Sequence, residues 1–145
     1  MALQGQVEIE GRKYGILSCS YSFSQDSDNT GVPTSRIRGG EIRFTMPSTS
    51  DDDLFFYNWM FSKTKVFSGT FKFCVYTNDN HMRYKTVTFV NAFCSGLNDE
   101  FDNNNSKLML TSVTIKAEII KIGNKFIQGT YFSNKWTSID EEQDI

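Results

Sequence analysis

The sequence predicts a mainly β protein, a small antiparallel β-barrel or sandwich of about six or seven strands with one flanking α-helix. Three observations predict it. Apolar and polar residues alternate with period two through most of the chain, most clearly in Leu17-Ser18-Cys19-Ser20-Tyr21-Ser22-Phe23-Ser24. Apolar residues crowd together at helical density only once, from Leu54 to Phe61. The 145 residues include 13 Phe and only 2 Pro, so large side chains are available to fill a core and few breakers interrupt the strands.

The elements follow in order. Val7 and Ile9 begin a short strand, and Gly11-Arg12-Lys13 is expected to turn the chain into the next. From Leu17 to Ser24 one face carries Leu17, Cys19, Tyr21 and Phe23 and the other carries four serines, the pattern of a half-buried strand. The segment from Gln25 to Arg38 is loop chemistry throughout, and long loops in compact domains tend to carry function. Gly39-Gly40 permits a sharp bend before Ile42, Phe44 and Met46 resume the alternation. Ser50 is the expected N-cap of the helix, with Asp53 reaching back and Asp51 and Asp52 in the first turn, where carboxylates suit the helix dipole.

The helix body, Leu54-Phe55-Phe56-Tyr57-Asn58-Trp59-Met60-Phe61, is apolar nearly all round. A surface helix needs a polar face, so this one is expected to pack partly on another chain through Phe55, Phe56, Trp59 and Met60. Next comes a strand from Phe67 to Thr77, with Phe71, Phe73 and Val75 on one face. Asn78-Asp79-Asn80 then forms a hairpin turn. In Met82 to Cys94 the residues Val87, Phe89 and Phe93 oppose Val90, Ala92 and Cys94, which predicts burial on both faces. Gly96 to Ser106 reads as a polar loop, and Leu108 to Ile122 as the last strand, with Met109, Val113, Ile115, Ala117 and Ile119 facing one way. Residues 1–124 are thus expected to form one domain. Residues 125–145 follow as an extension with aromatics that can dock and an acidic end.

Composition narrows the function. Fifteen basic residues against seventeen acidic ones leave a net charge of −2, which argues against a general nucleic-acid binder. No apolar run approaches the roughly 18 residues of a membrane span. Met1 to Gln6 has neither a basic start nor an apolar stretch, so no secretory signal is expected. Three cysteines without a Cys-x-x-Cys pair suit reduced thiols better than a disulfide framework.

Chemistry-bearing motifs are sparse. His81 is the single histidine and sits beside a turn, with no nucleophile or orienting partner in its sequence neighbourhood. Cys19, Cys74, Cys94 and His81 lack the short knuckle spacing of structural zinc sites. Asp26-Ser27-Asp28-Asn29-Thr30-Gly31 mimics the start of a calcium loop, but Ile37 stands where the bidentate Glu is required. No phosphate loop, zinc-protease motif or nucleophile elbow is present. The expectation is a non-enzymatic protein with no catalytic residue, metal or cofactor, acting through its surfaces.

Two stretches carry a resemblance: Ile16-Leu17-Ser18-Cys19-Ser20-Tyr21-Ser22-Phe23-Ser24-Gln25, and Asp28-Asn29-Thr30-Gly31-Val32-Pro33-Thr34-Ser35-Arg36-Ile37-Arg38-Gly39-Gly40. Followed by the strand Glu41 to Met46, an Asp-led helix ending in Trp59-Met60, a hairpin and a strand ending Ile122-Gly123-Asn124, they resemble a divergent branch of the type VI secretion tube proteins, the Hcp (TssD) family. The resemblance spans Gln6 to Asn124 and lies in the ordered set. It implies a small β-barrel with one flanking helix, six copies to a ring, and rings stacked into the inner tube of a contractile injection machine. The partners it implies are further copies of the chain, a sheath, a spike and effector proteins carried in the lumen. Assembly would precede export by the machine itself. It also implies that the loop bearing Gln25, Asp26, Asp28, Asn29, Thr30, Val32, Thr34, Arg36 and Arg38 contacts the neighbouring ring. The competing readings are a phage-type tail tube protein and a monomeric ligand-binding barrel. The many Phe look sized to fill a small interior rather than leave it open, which disfavours the ligand-binding barrel.

Overall fold

The computed structural model describes residues 4–33, 37–104, 108–123 and 130–134. Eight antiparallel strands and one helix follow in the order β1 (Gly5–Ile9), β2 (Arg12–Gly15), β3 (Ser18–Tyr21), β4 (Glu41–Pro47), α1 (Phe55–Met60), β5 (Phe67–Tyr76), β6 (Met82–Glu100), β7 (Leu110–Ile122) and β8 (Thr130–Ser133). The sheet order is β2-β1-β5-β6-β7-β4-β3, with β8 added beside β7. Its two ends are consecutive pieces of chain. Ile16 N–H donates to Gly5 O on β1 at 3.0 Å, and the next residue, Leu17, donates to Thr45 O on β4 at 2.7 Å. One extended stretch thus pairs first with β1 and then with β4, and the sheet closes into a barrel without a free edge at that seam.

The first turn differs from expectation. β1 and β2 are joined at Glu10 and Gly11, both with positive φ (52° and 79°), and Ile9 pairs directly with Arg12. This is the two-residue hairpin geometry whose twist matches the flanking strands, so Arg12 and Lys13 belong to β2 and not to the turn.

The interior is filled largely by aromatic rings. Phe44, Phe56, Phe71 and Phe89 are buried, with Phe44–Phe71 and Phe71–Phe89 centroids 5.3 and 5.6 Å apart. Val7, Ile9, Ile42, Met46, Val87, Val113, Ile115 and Ile120 complete the core from the surrounding strands. At roughly 1.5–3 kcal/mol for each large apolar side chain removed from water, this cluster is the principal stabilising term.

Neither apolar face of Met82 to Cys94 reflects two buried surfaces. Asn91 adopts φ 56°, the β5–β6 register shifts between the Phe89 and Ala92 pairs, and Asn91 N–H is satisfied by Ser68 Oγ at 3.2 Å. The bulge moves the inward phase from Val87 and Phe89 to Ala92 and Cys94, so one core receives both sets. A second shift between Cys94 and Gly96 turns Leu97 inward, and the strand continues to Glu100 where a loop was expected.

At the same level β7 changes partner. Up to Lys116 it pairs with β4; from Ile119 it pairs with β8. Residues 130–133 of the expected extension are therefore a strand of the sheet. Its Phe132 ring lies 5.5 Å from that of Phe23. The changeover is stapled by Asn134, whose side-chain amide lies 3.3 Å from Gly39 O and 3.3 Å from Ala117 O, and by Glu118, buried and accepting from Asn91 Nδ2 at 3.0 Å. Gly40, at φ 103°, fits here because a Cβ would lie 2.7 Å from Ala117 O.

The helix is shorter than expected and begins later. Ser50 to Asp53 is a turn closed by Asp53 N–H to Ser50 O (3.0 Å), and Leu54 occupies the N-cap position of α1. Asp51 and Asp52 consequently lie outside the helix. Asp53 is the residue that supports the helix start: its Oδ1 accepts from Phe55 N–H at 3.2 Å.

Candidate functional site

Among the described residues no three His, Cys, Asp or Glu side chains converge as a metal site would require, and no helix is long and apolar enough to cross a membrane. His81 pairs with Asp79 across the β5–β6 turn (Nδ1 to Oδ2, 2.9 Å), both side chains being exposed. Donation from Thr77 Oγ1, then from His81, holds the Asp79 carboxyl below its ordinary range. What remains for function is surface, and three surfaces stand out.

The first is the loop between β3 and β4. It is an arm closed on itself. Ser24 and Arg38 exchange backbone hydrogen bonds of 3.0 and 2.6 Å, Ser27 bridges to Pro33, and Arg38 pairs with Asp26 at 2.8 Å. At the tip Asp28 Oδ1 accepts from Thr30 N–H (2.9 Å), Thr30 Oγ1 (2.7 Å) and Val32 N–H (2.9 Å), and these bonds, the Thr30 hydroxyl foremost, hold its carboxyl below the usual range. The calcium-like spacing is thus a self-satisfied Asx turn. Gln25, Asp26, Asp28, Asn29, Thr30, Val32 and Arg38 are all exposed along this arm; Thr34 and Arg36 lie outside the described residues.

The second surface surrounds α1, and it corrects the expected interface set. Phe56 and Trp59 are not on the surface: they are 2% and 0% exposed, packed inside their own chain against Phe44, Tyr14 and Phe67. A six-residue helix laid across the end of a small barrel presents its apolar side to that barrel's own core. Phe55 and Met60 are half-buried, with Met60 Sδ 3.8 Å from Cys94 Sγ. Tyr14 OH donates to Asp53 Oδ2 at 2.7 Å and Arg12 lies 3.4 Å from Asp53 Oδ1, so β2 and the helix start share one carboxylate. Burial foremost, then that carboxylate, pushes the Tyr14 phenol up to about 12. This node escaped the sequence reading, because nothing in the spacing of Tyr14 and Asp53 says they meet. The apolar side chains that do reach solvent here are Leu54, Phe61 and Val66.

The third surface is the outer face of β3, β4, β7 and β6. Register aligns Ser18, Thr45, Ser112 and Asn98 in one row and Ser20, Arg43, Thr114 and Gly96 in the next. Thr45 and Ser112 hydroxyls are 3.2 Å apart, and Arg43 is held by Glu41 at 2.8 Å. Two shallow hollows of about 450 and 470 Å³ lie on this face. It carries hydroxyls and one internal ion pair but no large apolar side chain, in contrast to the β5–β6 hairpin, where Tyr76, Met82 and Tyr84 are exposed.

A closed antiparallel barrel with a short helix across its end, a protruding polar arm and no convergent chemistry defines a structural, assembly-type protein. The family Hemolysin coregulated protein Hcp (TssD) matches residues 1–137, and the chain belongs to that family, the tube proteins of type VI secretion. No curated protein sequence matches. Among solved structures, the chain is similar to Hcp1 from Flavobacterium johnsoniae at 26% identity, with 91% of this chain and 100% of that chain covered and a TM-score of 0.74. It shares the fold of Hcp1 from the E. coli EAEC 042 pathovar at 14% identity, covering 91% of this chain and 99% of that one, TM-score 0.67. It also shares the fold of a tube or sheath terminator component of the extracellular contractile injection system PVC, at 17% identity, 83% and 94% coverage and TM-score 0.53.

Proposed function

We propose that this chain is the protomer of hexameric rings that stack into the inner tube and carry effector proteins, with the hydroxyl face of β3, β4 and β7 lining the lumen. The observation that carries the assignment of the face is its chemistry. A passage for many different protein surfaces must be wetted and weakly adhesive, and two strand-to-strand rows of Ser, Thr and Asn provide that, whereas exposed Tyr and Met would hold cargo too tightly. Family membership supports the tube, and the near-neutral, self-paired face supports cargo of mixed charge. The polar arm between β3 and β4 is the ring-to-ring contact in this reading. Sheath, spike and effectors are the further partners, and the tube assembles in the cytoplasm before the machine expels it.

Size-exclusion chromatography with light scattering, followed by negative-stain microscopy, tests the assembly. A species of about six times the 16.6 kDa protomer with ring-shaped particles is expected. Ser20→Cys and Ser112→Cys then test the face. In assembled tubes a small maleimide should label both, and a large polyethylene-glycol maleimide should label neither within the tube's interior. Equal labelling by both reagents refutes the lumen assignment, and a protein that stays monomeric at high concentration refutes the ring.

A further inference from the structure

The β5–β6 hairpin outruns the barrel. β1 accompanies β5 only to Phe73, with one more bond from Cys74 N–H to Gln4 O, and β7 accompanies β6 only from Val87, with Gly123 N–H reaching Thr86 O. Beyond these points Val75 pairs with Arg83 and Tyr76 with Met82, and among the described residues neither strand has a second neighbour. Strand alternation puts Tyr76, Met82 and Tyr84 together on one face of this ribbon and Arg83 and Lys85 on the other. Tyr76, Met82 and Tyr84 are 72%, 53% and 62% exposed. A two-stranded ribbon is marginal alone in water, and an apolar strip along one face calls for a partner.

At the far end of β5 lies a groove of about 390 Å³ beside α1. Leu54, Phe55, Trp59 and Phe67 supply its apolar lining, and the exposed Asp51 and Asp52 its acidic rim. The Trp59 indole N–H is buried and has no acceptor among the described residues. Asp53, also at the rim, is already engaged by Arg12 and Tyr14. The ten residues of β5 separate ribbon tip and groove by about 30 Å, so the ribbon does not reach its own groove.

We infer that the ribbon tip of one copy docks in the α1 groove of a second copy, its aromatic face on the Phe55–Phe67 lining and its cations against Asp51 and Asp52. The complementarity is specific on both counts: an apolar strip flanked by Arg83 and Lys85 meets an apolar groove flanked by two carboxylates. Because the two surfaces sit at opposite ends of the protomer, the contact is head-to-tail and propagates along a stack. The inference rests on the tube reading for the supply of second copies.

Cysteine trapping tests it. In a Cys19→Ala, Cys74→Ala background, chains carrying Asp52→Cys and chains carrying Arg83→Cys are purified separately, shown by circular dichroism to be folded, mixed and oxidised. A disulfide-linked heterodimer is expected, in at least about tenfold higher yield than from the control mixture of Ser112→Cys with Arg83→Cys. In parallel, Asp51→Lys with Asp52→Lys should raise the concentration needed for stacking by about tenfold, and mixing with Arg83→Glu, Lys85→Glu chains should restore it. Heterodimer at the control level while microscopy shows rings and tubes overturns the docking and leaves the tube reading intact. Absence of any assembly overturns both.

Discussion

Three glycine-to-alanine substitutions separate backbone strain from lack of space, and the barrel supplies a position for each case. Gly11 has φ 79° with nothing within 4 Å of a built Cβ, so alanine there costs only the left-handed conformation, about 1 kcal/mol. Gly69 has an ordinary φ, but its Cβ would lie 2.6 Å from Glu8 O and 2.7 Å from Phe89 Cζ, in the packed seam between β1 and β5. Overpacking of that kind costs about 2 kcal/mol. Gly40 combines both penalties. Its φ is 103°, and its Cβ would lie 2.7 Å from Ala117 O and 2.7 Å from Asn134 Nδ2, the groups that staple β7 where it exchanges β4 for β8. Strain of about 2 kcal/mol plus a disrupted hydrogen bond or two gives about 3–4 kcal/mol. For a chain of 145 residues each kcal/mol moves Tm by about 3 °C, so the expected losses are about 3, 6 and 10 °C in the order Gly11, Gly69, Gly40. Thermal melts by circular dichroism at one low protein concentration measure this. If Gly40→Ala melts no lower than Gly11→Ala, the changeover is not the tight junction described and the argument fails.

Further outcomes follow from the same structure. Asp53→Ala removes the acceptor shared by Tyr14, Arg12 and the helix start, and chemical denaturation should show a loss of about 1–2 kcal/mol; an unchanged midpoint would deny the node its role. Trp59→Phe should cost under about 1.5 kcal/mol, because the indole N–H it deletes has no acceptor among the described residues, whereas Trp59→Ala should cost about 3–5 kcal/mol. Alkaline pH should destabilise the fold. The Cys94 thiol is raised from 9.0 to about 11, and Tyr14 from 10.0 to about 12, both chiefly by burial. The unfolded chain therefore releases these protons first, and their stabilising contribution, full below pH 9, falls as pH rises toward 12; urea midpoints at pH 8, 10 and 11 should decline in that order, less steeply in Tyr14→Phe above pH 10. Arg36→Glu with Arg38→Glu should leave the protomer folded, since the Arg38–Asp26 pair is exposed and worth at most about 1 kcal/mol, yet weaken ring stacking seen by microscopy.

The sequence by itself determined what period and composition encode. Alternation in Leu17 to Ser24 and in Ile42 to Met46 specified strands and their faces, because a half-buried strand cannot exchange its sides without exposing the core. The Asn78-Asp79-Asn80 turn was legible because it lies at the Asn80 position of positive φ that Asn tolerates, and the loop 25–38 was legible as a long polar interruption. The paucity of chemical motifs pointed to a protein of surfaces. Tertiary structure alone decided where alternation breaks. The opposed apolar sets of β6 look like two buried faces until the Asn91 bulge, a single left-handed residue fixed by Ser68 and Glu118 from distant strands, reverses the phase. Likewise, Phe56 and Trp59 read as surplus on a helix until the open end of a barrel built by other strands receives them. Long-range register also brings the serines of β3 beside Thr45, Ser112 and Thr114, making one hydroxyl face from segments some ninety residues apart. Local pattern records the preferences of each segment; the partner that satisfies them is fixed only when the sheet closes, since pairing depends on residues no local window contains.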